Sequence, residues 1–220
     1  MRQLRRYVRA ALWHIGYGWG PRLMSELRKR WILLSHPHAN IVFEGPVHIA
    51  PGFSLYIPGP GSFIVGPGVE FRRGFRAEVV NGGRVVIGAR CTFSYHSLIQ
   101  ITGSLEIGEG CGLGQSSAIF DGNHHYQDLS KPFMKQGFTL RPIRIGKECG
   151  ILTKTTILND IGDRCVIGAH SVVVNPIPSY TVAVGAPARP IEYFGPEDER
   201  PPELADLPKR GRGADAGLEA

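Results

Sequence analysis

The chain has 220 residues, 42% of them hydrophobic, so it can bury a full core, and this excludes an intrinsically disordered protein. Its 29 glycines and 17 prolines favour a fold of many short strands and turns over a helical bundle. The net charge of +6 is uneven: residues 1–40 hold eight basic residues against one glutamate, and the other 180 residues sum to about −1. The main body is therefore not expected to bind nucleic acid.

Residues 1–40 are predicted to form a basic helical segment that carries all three tryptophans, Trp13, Trp19 and Trp31. In one interpretation its helices pack against one end of the domain and leave their arginines in water. In the other, residues 1–31 contact an anionic membrane, because arginine and tryptophan suit the headgroup region. The best apolar stretch, residues 8–15, is too short to span a bilayer and contains Arg9, so a cytoplasmic protein, free or peripheral at the inner membrane face, is expected.

Residues 41–195 are organised by a repeat of six residues. Large apolar residues recur in four triplets: Ile87, Phe93, Ile99; Ile107, Leu113, Ile119; Ile145, Ile151, Ile157; and Ile161, Ile167, Val173. A period of six fits neither a helix nor a series of hairpins. It predicts an all-β solenoid in which three short parallel strands close one coil and the apolar residues point inward.

Two irregularities accompany the repeat. Val65 and Phe71 extend it backward, but residues 43–71 are rich in glycine and proline and predict irregular early coils. The step from Ile157 to Ile161 is two residues short of a hexad, which predicts one tightened corner.

The four cysteines each lie four residues after the first apolar residue of a triplet, at Cys91, Cys111, Cys149 and Cys165. In this register they would form a ladder of small buried side chains, which is the favoured interpretation. Disulfides and a metal site are the alternatives. A reduced cytoplasmic chain and the absence of a CxxC pair count against both.

The runs "IGEGCGLG", "IGKECG" and "IGDRCVIGAHSVVVNPIPSYTVAVGAPARPI" resemble the hexapeptide-repeat acyltransferases over about residues 60–195. The most similar branch contains maltose and galactoside O-acetyltransferases and the O-acetyltransferases of capsule and lipopolysaccharide sugars. The resemblance implies a left-handed parallel β-helix, a homotrimer, and transfer of acetyl from acetyl-CoA to a sugar hydroxyl of a surface polysaccharide or its precursor. The left hand comes from the resemblance alone, since parallel crossovers are normally right-handed.

The run "DGNHHY" holds the candidate catalytic residue. Members of the family place a catalytic histidine at the sixth position of a hexad, at the start of an excursion loop. Here that position is His124, and the excursion covers residues 123–142. His124 would take the proton of the acceptor hydroxyl in a direct transfer. Asp121 or a backbone carbonyl would orient its ring. His125 is the base if the coil ends one residue later, and both histidines could instead be merely exposed.

The resemblance also implies residues for the two substrates. Thr153 and Ala169 would contact the pantetheine arm of acetyl-CoA, and Arg189 its phosphates. Lys154 is added on charge alone, and each of the four could instead be a corner residue or a solvated charge. His96 and Tyr126 are candidates for acceptor contact, although His96 also fits an outward-facing solenoid residue.

Other functions stay open, because Cys149-Gly150 and Val174-Asn175 depart from residues common in the family. One is an N-acetyltransferase acting on a nucleotide sugar or a xenobiotic. Another is a zinc enzyme like the gamma-type carbonic anhydrases, with His96, His124 and His125 as ligands; no metal is expected in the favoured interpretation. A non-catalytic scaffold is the third. Residues 196–220 are predicted to be a disordered tail.

Overall fold

The computed structural model describes Tyr7, Arg9, Leu12 and residues 19–208, with Trp19 described by its backbone alone. Trp13, Arg2, Arg5 and Arg6 of the predicted N-terminal segment, and residues 209–220 of the predicted tail, lie outside the described residues. An α-helix, α1 (Trp19–Ser35), precedes the strands. The chain then runs almost entirely through short strands.

In chain order the strands are β1 (Asn40–Phe43), β2 (His48–Ile49), β3 (Ser54–Tyr56), β4 (Ser62–Val65), β5 (Glu70–Phe71), β6 (Arg76–Val79), β7 (Arg84–Ile87), β8 (Thr92–Phe93), β9 (Leu98–Ile101), β10 (Ser104–Ile107), β11 (Gly112–Leu113), β12 (Ala118–Phe120), β13 (Gly122–His124), β14 (Phe138–Leu140), β15 (Ile143–Ile145), β16 (Gly150–Ile151), β17 (Thr156–Ile157), β18 (Val166–Ile167), β19 (Val172–Val173), β20 (Thr181–Gly185) and β21 (Ala188–Tyr193).

Three sheets receive these strands in turn. The first has the order β1-β4-β7-β10-β15, the second β2-β5-β8-β11-β16-β18-β20-β21, and the third β3-β6-β9-β12-β17-β19. Each passage of the chain through these sheets, here called a round, stacks in parallel on the passage before it. Strands β13 and β14 pair only with each other, and the second sheet ends in the antiparallel pair β20 and β21. The third sheet shows the register, with Ile99 beside Ile119, Ile119 beside Ile157, and Ile157 beside Val173. All twelve apolar residues of the four triplets are buried, which confirms the period of six.

The early rounds are regular, so the prediction of irregular coils over residues 43–71 was wrong. Strands β1 and β4 pair in parallel with Phe43 beside Val65, and β2 and β5 pair with Ile49 beside Phe71. The prolines and most glycines fall between these strands, where they do not interrupt the ladders. Phenylalanine rings fill the interior here, with Phe71 stacked on Phe93 at 5.2 Å between ring centroids.

The corners that lead into the third sheet place one residue of each round in the left-handed region of φ. These residues are Gly52, Gly74, His96, Ser116, Lys154 and His170. The backbone N–H of each later member bonds to the round below, as from Lys154 to the Gln115 carbonyl at 2.8 Å and from His170 to the Thr153 carbonyl at 3.0 Å. We call this set the corner ladder. It fixes His96 and Lys154 on one edge of the molecule.

The tightened corner predicted between Ile157 and Ile161 is present. The buried Asn159 donates its amide to the Val174 carbonyl at 2.8 Å and accepts the Asp160 N–H at 2.8 Å. The Asp160 carboxylate accepts the Arg144 N–H at 2.8 Å. These side-chain bonds satisfy backbone groups where two residues are missing from the hexad.

The cysteines form the predicted ladder of buried, unpaired side chains. Each thiol contacts a backbone carbonyl of the next round, with Sγ–O distances of 3.1 Å for Cys91 to Gly108 and 3.0 Å for Cys111 to Gly146. Hydrogen bonds with the Cys111 and Cys165 thiols, together with burial, raise the pKa of the Cys149 thiol. Because all four thiols are buried and each donates to a backbone carbonyl of the next round, the cysteines pack in the core.

The helix α1 closes the open end of the first round. Its buried Ser25 hydroxyl accepts the Ile49 N–H at 2.7 Å and lies 3.1 Å from the Val47 carbonyl, to which it donates. Arg28 donates to the Ile49 carbonyl at 3.0 Å. A preceding strand would otherwise pair with these backbone groups, so the helix caps the sheet edge.

The tail differs from the predicted disorder over residues 196–208. Two 3₁₀ helices, Glu197–Glu199 and Pro202–Leu204, follow the last strand, and the Leu204 side chain is buried. The Arg200 guanidinium lies 5.4 Å from the centre of the Tyr193 ring, and the Tyr193 hydroxyl donates to the Pro196 carbonyl at 2.8 Å. These contacts with the last strand hold a segment whose composition alone favours disorder.

Candidate active site

The long excursion after the third sheet is an antiparallel hairpin. Strands β13 and β14 pair Gly122 with Leu140 and His124 with Phe138, and a 3₁₀ helix, Phe133–Lys135, lies near the tip. The last residue of β12 that pairs within the third sheet is Phe120. His124 therefore lies on the hairpin, whereas the hexad count placed it at the end of the coil.

The exposed imidazole of His124 lies beside two phenylalanine rings of the hairpin. The ring centroids are 5.2 Å apart for Phe133, which is tilted, and 5.9 Å apart for Phe138, which approaches edge-to-face. Contacts of this geometry are favourable between aromatic rings. Sequence reasoning missed both phenylalanines, and no repeat marks them, because the hairpin lies outside the period of six.

His124 lines two cavities. One, of about 560 Å³, lies within the hairpin and includes His125, Tyr126, Asp128 and Lys131. The other, of about 420 Å³, lies on the outer surface of the third sheet and includes Asn81, Gln100, Thr102, Phe120 and Leu158. Gln100, Phe120 and Leu158 each directly follow a buried isoleucine of the repeat, so the sequence register could have identified them as outward-facing. The imidazole is thus open to small molecules from two sides.

The structure brings the predicted residues His125 and Tyr126 beside His124. One ring nitrogen of His125, Nε2, lies 2.6 Å from the Thr139 hydroxyl, and its backbone N–H donates to the Gly137 carbonyl at 3.0 Å. Tyr126 is exposed on the wall of the hairpin cavity. Of the two histidines, only His124 borders both cavities.

Asp121 does not orient His124 by any hydrogen bond among the described residues. Its buried carboxylate accepts the Gly103 N–H at 2.6 Å and the Thr102 N–H at 3.0 Å. Its carbonyl accepts the Arg141 N–H at 2.8 Å. Asp121 therefore fixes the turn between the third and first sheets and the base of the hairpin, where the sequence suggested a catalytic support.

Three of the predicted acetyl-CoA residues lie at the corner ladder: Lys154 belongs to it, and Thr153 and Ala169 directly precede its members Lys154 and His170. Thr153 is half-buried and donates its hydroxyl to the Gln115 carbonyl at 2.8 Å, while Lys154 and Ala169 are exposed. The predicted phosphate partner Arg189 is exposed on β21, opposite Val184 of β20. Their exposure fits contact with a ligand that runs along the outside of the stacked rounds.

His96 also lies on the corner ladder, on an earlier round than Lys154. It is exposed, and its ring lies so close to Gly74 that a Cβ atom there would overlap it. This placement fits the outward-facing interpretation. The structure does not bring His96 to His124, because the two residues lie at opposite ends of the strands of the third sheet.

One chain does not bring the two halves of the predicted site together. Thr153 and Ala169 precede strands of the third sheet, whereas His124 follows one. Parallel strands start at one edge and end at the other, so at least about 10 Å of strand separates the two edges. Neither cavity at His124 includes Thr153, Lys154, Ala169 or Arg189.

Within one chain, the three histidines of the carbonic anhydrase alternative do not come together. Within the described residues, no three histidine, cysteine, aspartate or glutamate side chains converge as metal ligands would. Zinc catalysis needs three protein ligands and an open position, and His96 lies on a different edge from His124 and His125.

Comparison with known proteins finds two informative sequence relatives, although no family model matches. A probable acetyltransferase of Mycobacterium tuberculosis is 30% identical over 76% of this chain, which spans only 57% of that protein. The galactoside O-acetyltransferase of Escherichia coli is 28% identical over 80% of this chain and 73% of its own length.

Solved structures agree on the fold. A variant of AntD, an N-acyltransferase from Bacillus cereus in complex with dTDP and coenzyme A, superposes with a TM-score of 0.59 over 76% of this chain and 86% of that chain, at 19% identity. At this identity the similarity concerns the fold alone. The chain is thus similar in sequence to two acetyltransferases and similar in fold to an N-acyltransferase.

Proposed function

We propose that this protein is an acetyl-CoA-dependent O-acetyltransferase whose acceptor is a sugar hydroxyl of a surface polysaccharide or its precursor. The observation that carries this function is the exposed imidazole of His124 between two cavities, on a hairpin that leaves the third sheet. The sugar acceptor is supported by the galactoside O-acetyltransferase relative. We further infer that the three sheets wind as a left-handed β-helix, as the family resemblance implies.

The chemistry needs one base and no protein nucleophile. His124 accepts the proton of the acceptor hydroxyl while the hydroxyl oxygen attacks the thioester carbonyl carbon. The carbon–sulfur bond then breaks, and the proton passes from the imidazolium to the departing CoA thiolate. The ring contacts with Phe133 and Phe138 hold the imidazole in place during both proton transfers. The buried cysteines have no part in this route.

We propose that the site is completed by a neighbouring copy in a homotrimer. Within one chain His124 and the corner ladder lie on opposite edges of the third sheet. In a ring of three identical chains, the hairpin edge of one chain faces the corner ladder of the next. Thr153 and Ala169 of that neighbour would then hold the pantetheine arm beside His124, with Lys154 and Arg189 available for the phosphates.

The acceptor could carry either a hydroxyl or an amine, because the same fold is found in an N-acyltransferase. That protein, AntD, was solved with dTDP and coenzyme A. A screen therefore includes galactosides, maltose and amino-sugar nucleotides, with free CoA release as the readout. Galactoside or maltose turnover supports O-transfer. Turnover confined to amino sugars would replace the O-acetyl assignment with N-acetyl transfer.

The decisive variant is His124→Ala, with His125→Ala as the matched control from the same hairpin. We expect His124→Ala to lower kcat by about 10²- to 10⁴-fold, which is the usual contribution of a general base. Acetyl-CoA affinity, measured by calorimetry, should stay close to that of the unaltered protein, since the proposed contacts with acetyl-CoA come from Thr153, Ala169, Lys154 and Arg189. Near-normal turnover by His124→Ala would remove this histidine from the mechanism.

A further inference from the structure

The outer face of α1 carries an exposed apolar stripe. Leu23, Leu27, Trp31 and Leu34 recur at helical spacing, and their exposed fractions are 51%, 48%, 70% and 76%. At about 100° per residue they lie on one side of the helix, opposite the buried Ser25 and Ile32. We call these four residues, with Arg30, the end face.

The end face points away from the body of the protein. Ser25 and Arg28 turn toward the first round, where they bond to the backbone of Val47 and Ile49. The opposite side of α1 therefore forms one end of the stack of rounds. Within the part of the chain that the structure describes, the stripe stays exposed, and a large apolar surface in water usually marks a contact site.

The charge around the stripe is positive. Arg22 and Arg30 are exposed on α1, and Arg9 is exposed upstream. Lys29 is paired with Glu26 at 3.0 Å, and Glu26 is the single acidic residue among residues 1–40. Because the rest of the chain sums to about −1, the excess positive charge of the whole protein lies within residues 1–40 of the sequence.

We propose that the end face docks on the surface of an anionic lipid bilayer. Arginine side chains are attracted to anionic headgroups, and tryptophan with leucine partitions into the region beneath them. A second copy is a poorer partner for this face, since two segments of net charge about +7 would repel each other. No helix within the described residues is long and apolar enough to cross a membrane, so α1 would lie in the plane of the interface.

Vesicle sedimentation tests this surface with the full-length protein. We expect binding to phosphatidylcholine vesicles that contain about 30% phosphatidylglycerol and little binding to phosphatidylcholine alone. Binding should fall at least about tenfold when salt is raised to roughly 0.5 M, because the attraction is screened. The double variant Leu27→Ser/Trp31→Ala should lose about tenfold or more in partition coefficient.

The matched control is Leu152→Ser, which removes an exposed leucine from the body of the protein. It should bind vesicles as the unaltered protein does. Failure of the unaltered protein to sediment with anionic vesicles at low salt would overturn the proposal. So would a double variant that keeps full vesicle binding but forms a smaller oligomer in ultracentrifugation, because the end face would then be an interface between copies.

Discussion

The carboxylate of Asp121 accepts hydrogen bonds from two backbone amides, those of Thr102 and Gly103, where the chain turns from the third sheet to the first. Hydrogen bonds from these half-buried amides to a charged acceptor stabilise the fold more than bonds to a neutral one, and amides left without a partner carry a desolvation penalty. Asp121 is close in sequence to His124, and sequence reasoning took that closeness as a sign of catalysis. Its contacts indicate that its main contribution is to stability.

Asp121→Ala should therefore destabilise the protein by about 2 to 4 kcal/mol, measured by urea unfolding, because two amides lose a charged partner. The matched control is Asp128→Ala. Asp128 is on the same hairpin, and its carboxylate pairs with Lys131 at 2.8 Å on the surface, where solvent screens the ion pair, so its removal should destabilise the protein much less than Asp121→Ala does. Equal effects of the two substitutions would contradict a structural role specific to Asp121.

At the scale of the element, α1 caps the open sheet edge of the first round. The Ser25 hydroxyl both accepts from Ile49 and donates to Val47, so a single side chain satisfies two backbone groups at the sheet edge. Without the helix, this edge would offer unpaired N–H and C=O groups to other chains. The same helix thus closes the core on one side and exposes its apolar stripe on the other.

Ser25→Ala should lower the free energy of unfolding by about 1 to 3 kcal/mol, since it leaves the buried Ile49 amide unsatisfied. Ser35→Ala is the control: its hydroxyl bonds to the Trp31 carbonyl at 2.8 Å at the exposed end of the same helix. That change should cost well under about 1 kcal/mol. A Ser25→Ala protein as stable as the unaltered one would mean that water replaces the hydroxyl.

The rounds could be predicted from the sequence because buried apolar side chains recur every six residues. Each hexad buries an apolar side chain at the same position, and Ile99, Ile119 and Ile157 stack because the parallel ladder keeps them in register. The prediction of irregular early coils was wrong because glycine and proline weaken strands only within them, and here most of these residues fall between strands. The hairpin was not predicted because its pairing, His124 with Phe138, joins residues that share no period.

The candidate site was predictable only in part, for a related reason. His124, Thr153 and Ala169 were identified from their places in the repeat and the resemblance. The side chains that surround His124, Phe133 and Phe138, come from a segment with no repeat. The direction of the Asp121 carboxylate depends on three-dimensional contacts with residues about twenty positions away, which no local pattern contains.

At the scale of the whole molecule, the separation of His124 from the corner ladder governs how a complete site can form. A single chain presents the proposed base, His124, at one edge of the third sheet and the proposed cofactor residues at the other. A cyclic trimer repeats the same interface three times, and each interface joins unlike edges of two chains. Every complete site would then draw His124 from one chain and Ala169 from its neighbour.

Mixing two inactive variants tests this arrangement. His124→Ala removes the base, and Ala169→Trp fills the proposed pantetheine path at an exposed corner where a large side chain should not disturb the core. Each variant alone should be inactive.

In trimers assembled at random from equal amounts of both variants, about one quarter of the interfaces pair an intact His124 with an intact Ala169. Mixed trimers should therefore recover about one quarter of normal activity after joint refolding, while the two variants refolded separately and then combined stay inactive. Joint trimers that bind acetyl-CoA but show no recovered turnover would indicate a site within one chain, because in that case no chain carries both intact halves.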